Sequence, residues 1–341
     1  MYPLKFQPVF QQRIWGGQRL RTILGKSPAR EFDGQAVGES WELADLPAGT
    51  VKADSKGAAT DGSLSSVVTN GPMARQTLQG VLREWPEIMG NVPLNRGHFP
   101  LLVKFLDAQQ DLSVQVHPDA AYVQAHPEAH LKSEAWYILH AEPGAKIYKG
   151  VKQGVTRDQF RTALETGAVE PLLNAIKVRA GDCHYLPSGT VHALGAGILA
   201  AEVQTPSDTT FRVFDWNRLG PNGKPRTLHV TEALECIDFS HSGVPAVVGH
   251  EGSAGTRLVA NEYFTLDRVQ LGQGQIMKLP AELAVWMILE GQGVVTCNGY
   301  GPTAFARGDT LLLPANMKDG AVKTIANCMW LEAKVPVRRM N

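Results

Sequence analysis

Two histidine segments, Gln115-Val116-His117-Pro118 and Gly181-Asp182-Cys183-His184-Tyr185-Leu186-Pro187-Ser188-Gly189-Thr190-Val191-His192, flank the triplet Lys132-Ser133-Glu134. Side chains two residues apart on a strand share a face. Gln115 with His117, and Lys132 with Glu134, can therefore each project as a pair into one pocket. Two imidazoles and a carboxylate converging there suit one divalent cation, with an amide oxygen or a water completing the shell. A lone histidine would be ordinary core; the convergence of ligand types at strand spacing carries the inference.

The elements that must position these residues are short and β-rich. Apolar and aromatic runs at Leu101 to Leu106, Ala135 to Leu139, Ile198 to Gln204 and Thr209 to Phe214 are separated by glycines and prolines, and 34 Gly with 21 Pro fit a turn-rich β protein. Gly181-Asp182 suits a turn into a strand, Pro187 and Gly189 end that strand, and His192 starts the next pointing inward. Helical spacing covers Gln76 to Met89. A short helix broken near Pro127 is expected over Ala120 to His130, and Thr156-Arg157-Asp158-Gln159 reads as a capping box opening a helix through Leu164. His126 and His130 are four apart, but Pro127 and polar neighbours place them in a solvated loop or helix end. Gly195-Ala196-Gly197 precedes strand-like residues, not a helix, and is no phosphate loop.

Lys plus Arg and Asp plus Glu are equal at 33 each, so no global field favours nucleic acid or an anionic membrane. A phosphorylated ligand would need a few local cations. The opening Met1-Tyr2-Pro3-Leu4-Lys5 lacks a signal-peptide core and no run is long enough for a membrane helix, which predicts a cytoplasmic protein. Cys183, Cys236, Cys297 and Cys328 are scattered, which predicts neither disulfides nor a thiolate metal site.

The spacing G-x5-P-x-G-x2-H from Gly181 to His192 resembles the second motif of the cupin superfamily. Further stretches narrow the resemblance: Ile14-Trp15-Gly16-Gly17, Gly38-Glu39-Ser40-Trp41-Glu42, Leu112 to Pro118, Lys132-Ser133-Glu134-Ala135-Trp136-Tyr137 and Ser207-Asp208-Thr209-Thr210-Phe211-Arg212. In that order, across roughly residues 14 to 216, they are similar to type I mannose-6-phosphate isomerases in their short bacterial form. The resemblance implies zinc, one ion per chain, on His117, Glu134 and His192, with Gln115 or a water in fourth place. It implies catalytic roles for Arg212 and Lys132 and a substrate pocket including Ser113 and Lys132. Glu202 and Asp208, on the strand expected to lead to Arg212, and Trp15 and Glu39 complete the expected pocket. Trp15, Trp41 and Trp136 are expected as core or pocket wall.

The implied reaction interconverts mannose 6-phosphate and fructose 6-phosphate through a cis-enediol or enediolate. Arg212, always cationic, suits the developing charge; Lys132 could grip phosphate or exchange protons. Two other classes share a metal cupin: an Fe(II) oxidoreductase, and a non-catalytic sugar-binding module. The Lys132 and Arg212 pair favours the phosphosugar over both.

The pattern also repeats. Val285-Trp286-Met287-Ile288-Leu289 echoes Ala135 to Leu139, and Gly308 to Pro314 echoes Gly181 to Pro187, but Ala284 stands for Glu134 and Asp319 for His192. A Ser, Gly, Pro and His-rich break spans Asp238 to Gly255. The expected fold is therefore mainly β: two cupin jelly-roll barrels, a metal-binding one in residues 1–240 with helical insertions, and a degenerate metal-free one in 241–341.

Overall fold

Inward and outward side chains alternate along the strands, and this alternation builds two pairs of facing sheets. The computed structural model describes residues 1–28, 35–51, 56–220, 223–240, 250–252 and 255–337. Much of the expected break between the barrels, including residues 241–249, lies outside the described residues.

In the first barrel, a six-stranded sheet runs in the spatial order Cys183–Leu186, Glu134–Ala141, Ile198–Gln204, Leu102–Ala108, Val37–Leu43, Val9–Gly17. Its partner sheet runs Leu173–Lys177, Lys146–Val151, His192–Leu194, Val114–Val116, Phe211–Phe214. The second barrel joins a seven-stranded sheet to a four-stranded one made by Ile276–Lys278, Ala321–Thr324, Gln292–Cys297 and Tyr300–Ala306. The seven-stranded sheet is built around Ala284–Glu290, flanked by Thr310–Leu313 and Cys328–Lys334. Its edge strand is Leu4–Lys5, which pairs with Leu311 and Leu312. The chain's first strand thus belongs to the sheet formed by its last hundred residues.

One apolar cluster binds the two barrels. The outer face of the six-stranded sheet, with Val103, Phe105, Tyr137, Leu199 and Ala201, shares it with Val285, Met287 and Leu331 of the seven-stranded sheet. Burial of this kind contributes about 25 cal/mol per Å² of apolar surface. The buried Lys26–Glu42 pair at 2.7 Å reinforces the junction, because Lys26 also donates to the Gly308 carbonyl. The outer face of the five-stranded sheet packs against the helices Arg157–Glu165 and Val230–Cys236 through Val116, Tyr148, Phe160 and Leu234.

Two local expectations change in detail. The helix expected over Gln76 to Met89 is an α-helix at Leu78–Glu84, capped by Thr77, then a separate 3-10 turn at Pro86–Met89. Pro86 lacks the N–H that would continue the ladder, and Trp85 leaves helical geometry before it. The run expected to lead along one strand to Arg212 crosses between sheets: Glu202 lies in Ile198–Gln204, Asp208 in the connection, and Arg212 in Phe211–Phe214. Pro206 and the capture of Ser207 Oγ by the His130 carbonyl hold that connection away from strand pairing. The helix Ala120–Ala125 ends at His126, before Pro127, and the Thr156–Gln159 capping box opens Arg157–Glu165.

Candidate active site

Register places the polar residues in two facing rows. Across the five-stranded sheet, Lys149, His192, Gln115 and Arg212 are successive partners. Across the six-stranded sheet the row is His184, Trp136, Glu202, Lys104, Trp41. The neighbours of these residues in sequence point outward into the two apolar clusters, so the rows themselves face the barrel interior.

At the centre, His117 Nε2 lies 3.4 Å and His192 Nε2 3.1 Å from the Glu134 carboxylate. One ligand atom from each of these three residues falls within 4.8 Å of the others, and all three are buried. Turns fix them: Gly181 and Gly189 take positive φ of 94° and 83° around the strand Cys183–Leu186, and Gly189 N–H donates to the His117 carbonyl. His117 Nδ1 faces the Thr209 carbonyl at 3.0 Å and His192 Nδ1 the Thr190 carbonyl at 2.7 Å. A carbonyl only accepts, so each Nδ1 carries a hydrogen and each ring turns its Nε2 toward Glu134.

Burial, then Lys132, pushes His117 down to about 3, keeping that ring neutral. Burial would raise Glu134, but the Lys132 ammonium outweighs it and holds the carboxyl well below the usual carboxylate range. The His117 lone pair therefore meets a carboxylate. His117 Nε2 and both Glu134 oxygens have no hydrogen-bond partner although each is buried. The Lys132 ammonium stands 2.9 Å from Glu134 Oε2 as a charge contact without satisfying hydrogen-bond geometry. A cation at the focus would satisfy all three atoms, so the donor set fits a divalent metal. Gln115 completes the ring of donors: its amide nitrogen lies 3.5 Å from His192 Nε2 and its oxygen takes the Ser113 hydroxyl. A half-turn of the amide would present the oxygen instead.

The cluster opens through Glu134, with Gln115 beside it, onto a cavity of about 730 Å³. Its walls include Trp15, Glu39, Ser113, Lys132, Glu202, Asp208 and Arg212, all expected there from the sequence, whereas Trp41 is packed in an apolar cluster. Arg212 Nε donates to Ser113 Oγ at 3.2 Å and Nη1 to the Thr227 carbonyl at 3.0 Å. Burial, then Arg226, lowers Arg212 to about 10, still cationic at neutral pH. Burial would lower Lys132, but Glu134 and Glu202 prevail and raise it. Glu202, 3.7 Å from Lys132, is pushed up to about 8 by burial and then by Glu134. Glu39 pairs with Arg13 at 2.8 Å and accepts from Trp41 Nε1 at 2.6 Å. Trp15 is buried in the wall. His126 is half-buried and stacked on Tyr122, and neither it nor His130 joins the cluster.

Sequence reasoning missed Lys104, Arg226 and Lys149. Lys104 is buried with its ammonium 4.6 Å above the Trp41 ring, and it lines the cavity beside Glu202. Its only sequence signal is a lysine in an otherwise apolar strand, LVKFL. Arg226 lines the mouth and is held by a two-point pair to Asp215 at 2.7 and 2.5 Å. Lys149 is buried beside His192 in register, and burial lowers it to about 8.

Comparison with known proteins agrees with this geometry. Residues 3–144 match the family model described as phosphomannose isomerase type I, catalytic domain. The chain is 35% identical to the mannose-6-phosphate isomerase of Streptococcus mutans, covering 95% of this chain and 98% of that protein. It is 35% identical to the mannose-6-phosphate isomerase ManA of Bacillus subtilis, covering 96% and 98%. The crystal structure of a mannose 6-phosphate isomerase from Bacillus subtilis superposes with a TM-score of 0.84 at 32% identity, covering 98% of this chain and all of that one. With its histidine and carboxylate cluster reaching a cation-rich cavity through Glu134, this chain belongs to the type I phosphomannose isomerase family.

Proposed function

We propose that this chain interconverts mannose 6-phosphate and fructose 6-phosphate in the cavity where Lys132, Arg212 and the His117–Glu134–His192 cluster converge. The observation that carries this reading is the set of orphaned, buried ligand atoms placed directly beside Lys132. We assign zinc to the cluster, one ion per chain, with Gln115 or a water as the fourth ligand. When bound, such an ion supplies Lewis-acid polarisation of sugar oxygens without redox chemistry.

The residues of the chain divide the remaining work. An aldose and a ketose exchange a proton between C2 and C1, so the site must stabilise negative charge on two oxygens and move one proton. Lys132, kept cationic by the Glu134 carboxylate, neutralises oxygen charge on the wall of the cavity. Arg212 does so from the opposite sheet through a fork pinned by Ser113 and Thr227. Glu202 holds a proton at neutrality and lies within reach of Lys132, which gives that pair the proton-transfer role. Glu39 anchors Arg13 at the wall, Trp15 shields part of that wall from water, and Asp208, also on the wall, binds sugar hydroxyls. Every residue lining the cavity falls between Gln12 and His229, so residues 1–240 form the catalytic unit and 241–341 a metal-free support. Among the described residues, no helix is long and apolar enough to cross a membrane.

The test is a coupled assay for fructose 6-phosphate formed from mannose 6-phosphate, run on chelator-treated protein before and after zinc is restored. Turnover should vanish and return with about one zinc per chain. Metal-loaded protein inert toward mannose 6-phosphate would sink the proposal.

A further inference from the structure

Resting on the phosphosugar reading of the cavity, we propose that Arg226, braced by Asp215, anchors the phosphate of the substrate and sets the preference for a phosphorylated over a free hexose. C1 and C2 must meet the part of the wall that carries Glu134 and Lys132, and the phosphate lies at the other end of the same carbon chain. Its anchor is therefore a cation of the same cavity that stands nearer to solvent. The Lys132 and Glu134 side chains are 6% and 1% exposed, whereas Arg226, which lines the cavity with them, keeps 22%.

The other cations of the wall are committed elsewhere. Lys132 faces Glu134, Arg13 forks onto Glu39, and Arg212 gives Nε to Ser113 and Nη1 to the Thr227 carbonyl. Lys104 lies over the Trp41 ring and beside Glu202 in register. Lys224 is exposed, and ordering its long stem costs more rotamer entropy than using an arginine fork that is already pinned. Arg226 gives Nε and Nη2 to Asp215, and among the described residues its Nη1 makes no hydrogen bond. Asp215 also accepts from Arg218 Nη2, so one carboxylate serves two guanidiniums and a positive charge is left over. Neither Asp215 nor Arg218 lines the cavity, so this carboxylate holds Arg226 without competing for an anion inside.

The loop from Asp215 to Thr227 returns Arg226 to Arg212. Trp216 and Asn217 take positive φ of 55° and 54° and turn the chain directly after Asp215. Trp216 Nε1 donates to the Leu112 carbonyl, next to Ser113, and Gly220 N–H donates to the Lys224 carbonyl. Thr227, which follows Arg226, supplies the carbonyl that Arg212 grips, and His229 N–H donates to the Arg212 carbonyl. After burial, Arg226 is the like charge that does most to lower Arg212 to about 10. Two guanidiniums held this close leave a field that a phosphate dianion relieves, and their planar donor edges match its oxygens.

The experiment uses the zinc-loaded full chain. Arg226→Gln should raise KM for mannose 6-phosphate roughly tenfold to a hundredfold while kcat stays within about twofold. Arg226→Lys keeps the charge without the fork and should recover only part of that loss. Turnover of unphosphorylated mannose at high concentration should not change. Calorimetric titration with inorganic phosphate at constant ionic strength reads the same site without turnover, and its dissociation constant should rise about tenfold in Arg226→Gln. Arg218→Gln, on the same loop and the same carboxylate but off the cavity wall, should leave both readings near wild type. Unchanged KM and phosphate affinity in Arg226→Gln, or an equal rise in Arg218→Gln, would overturn the proposal. Wild type that binds phosphate through Arg226 but is inert toward mannose 6-phosphate would refute the isomerase reading and leave the anion site standing.

Discussion

The two barrels are built on one register and differ in what their inward positions carry. Glu134 pairs with Leu186 in the first, and Ala284 pairs with Leu313 at the matching place in the second. One step further in, Trp136 faces Glu202, and Trp286 faces Glu332. In the second barrel Trp286 Nε1 donates to Glu332 at 2.7 Å and the acid is satisfied by its own indole. In the first, Lys132 lies beside Glu202, and the Trp136 indole is left unpaired. The counterpart of His192, Asp319, is exposed at a positive φ of 51°. Among the described residues, one three-ligand cluster exists, and it lies in the first barrel. The strand scaffold therefore does not make a site; a handful of inward substitutions does, and each leaves polar atoms that something else must satisfy.

The sharpest way to break this contrast is to write the second barrel's residue into the first. Glu134→Ala should remove bound metal and all measurable turnover. It also strips Lys132 of its nearest carboxylate and should cost about 3–5 kcal/mol of stability. Adding Lys132→Met should recover most of that stability without recovering metal. Metal analysis with thermal unfolding of the single and double variants checks both halves; retained zinc in Glu134→Ala would break the ligand assignment.

Arg212 is next in size. Arg212→Ala should lower kcat by roughly 10² with zinc content intact, and Arg212→Lys should restore little, because an ammonium cannot span Ser113 and the Thr227 carbonyl together. A change confined to KM would move Arg212 to a phosphate-gripping role.

Much of this was legible in the sequence because it depends on period-two spacing and on turn residues. The Gln115–His117 and Lys132–Glu134 pairs, the Gly181 and Gly189 turns, and the echo of Glu134 in Ala284 are local patterns. Lys104, Lys149 and the role of Asp215 were not legible. Their meaning comes from partners 98, 43 and 11 residues away, Glu202, His192 and Arg226, brought near by strand order and loop path that no local period encodes. The crossover between Glu202 and Arg212 was hidden for the same reason: Pro206 marks a break, but not a change of sheet.

The first barrel has its own indole–carboxylate pair in Trp41 and Glu39, and here the comparison becomes a pH experiment. Burial would raise Glu39, but Arg13 and Lys104 prevail and hold it at about 2, below its ordinary 4.5. A depressed carboxyl stabilises the fold above its unfolded pKa and loses that contribution as pH falls through the folded value. Wild type should therefore lose about 3 kcal/mol between pH 5 and pH 2 from this group. Glu39→Gln should flatten that part of the stability profile, measured by denaturant unfolding at each pH; an unchanged slope would show that Glu39 is not the group responsible.

The smallest effect belongs to the second barrel's own pair. Glu332→Gln keeps an oxygen for Trp286 Nε1 but removes the charge that Lys334 meets at 3.0 Å, and Lys334 retains Glu282 at 3.1 Å. The expected cost is about 1 kcal/mol, a Tm drop of roughly 2 °C, with kcat and zinc content unchanged. The same substitution at the matching register, Glu202→Gln, should instead lower kcat, because that carboxyl shares its environment with Lys132 and has no indole to satisfy it. Steady-state kinetics on the two variants side by side tests whether equivalent positions have parted in function. Equal losses of kcat would show the second barrel to be coupled to the chemistry through the shared apolar cluster, and equal silence would remove Glu202 from the proton-transfer pair.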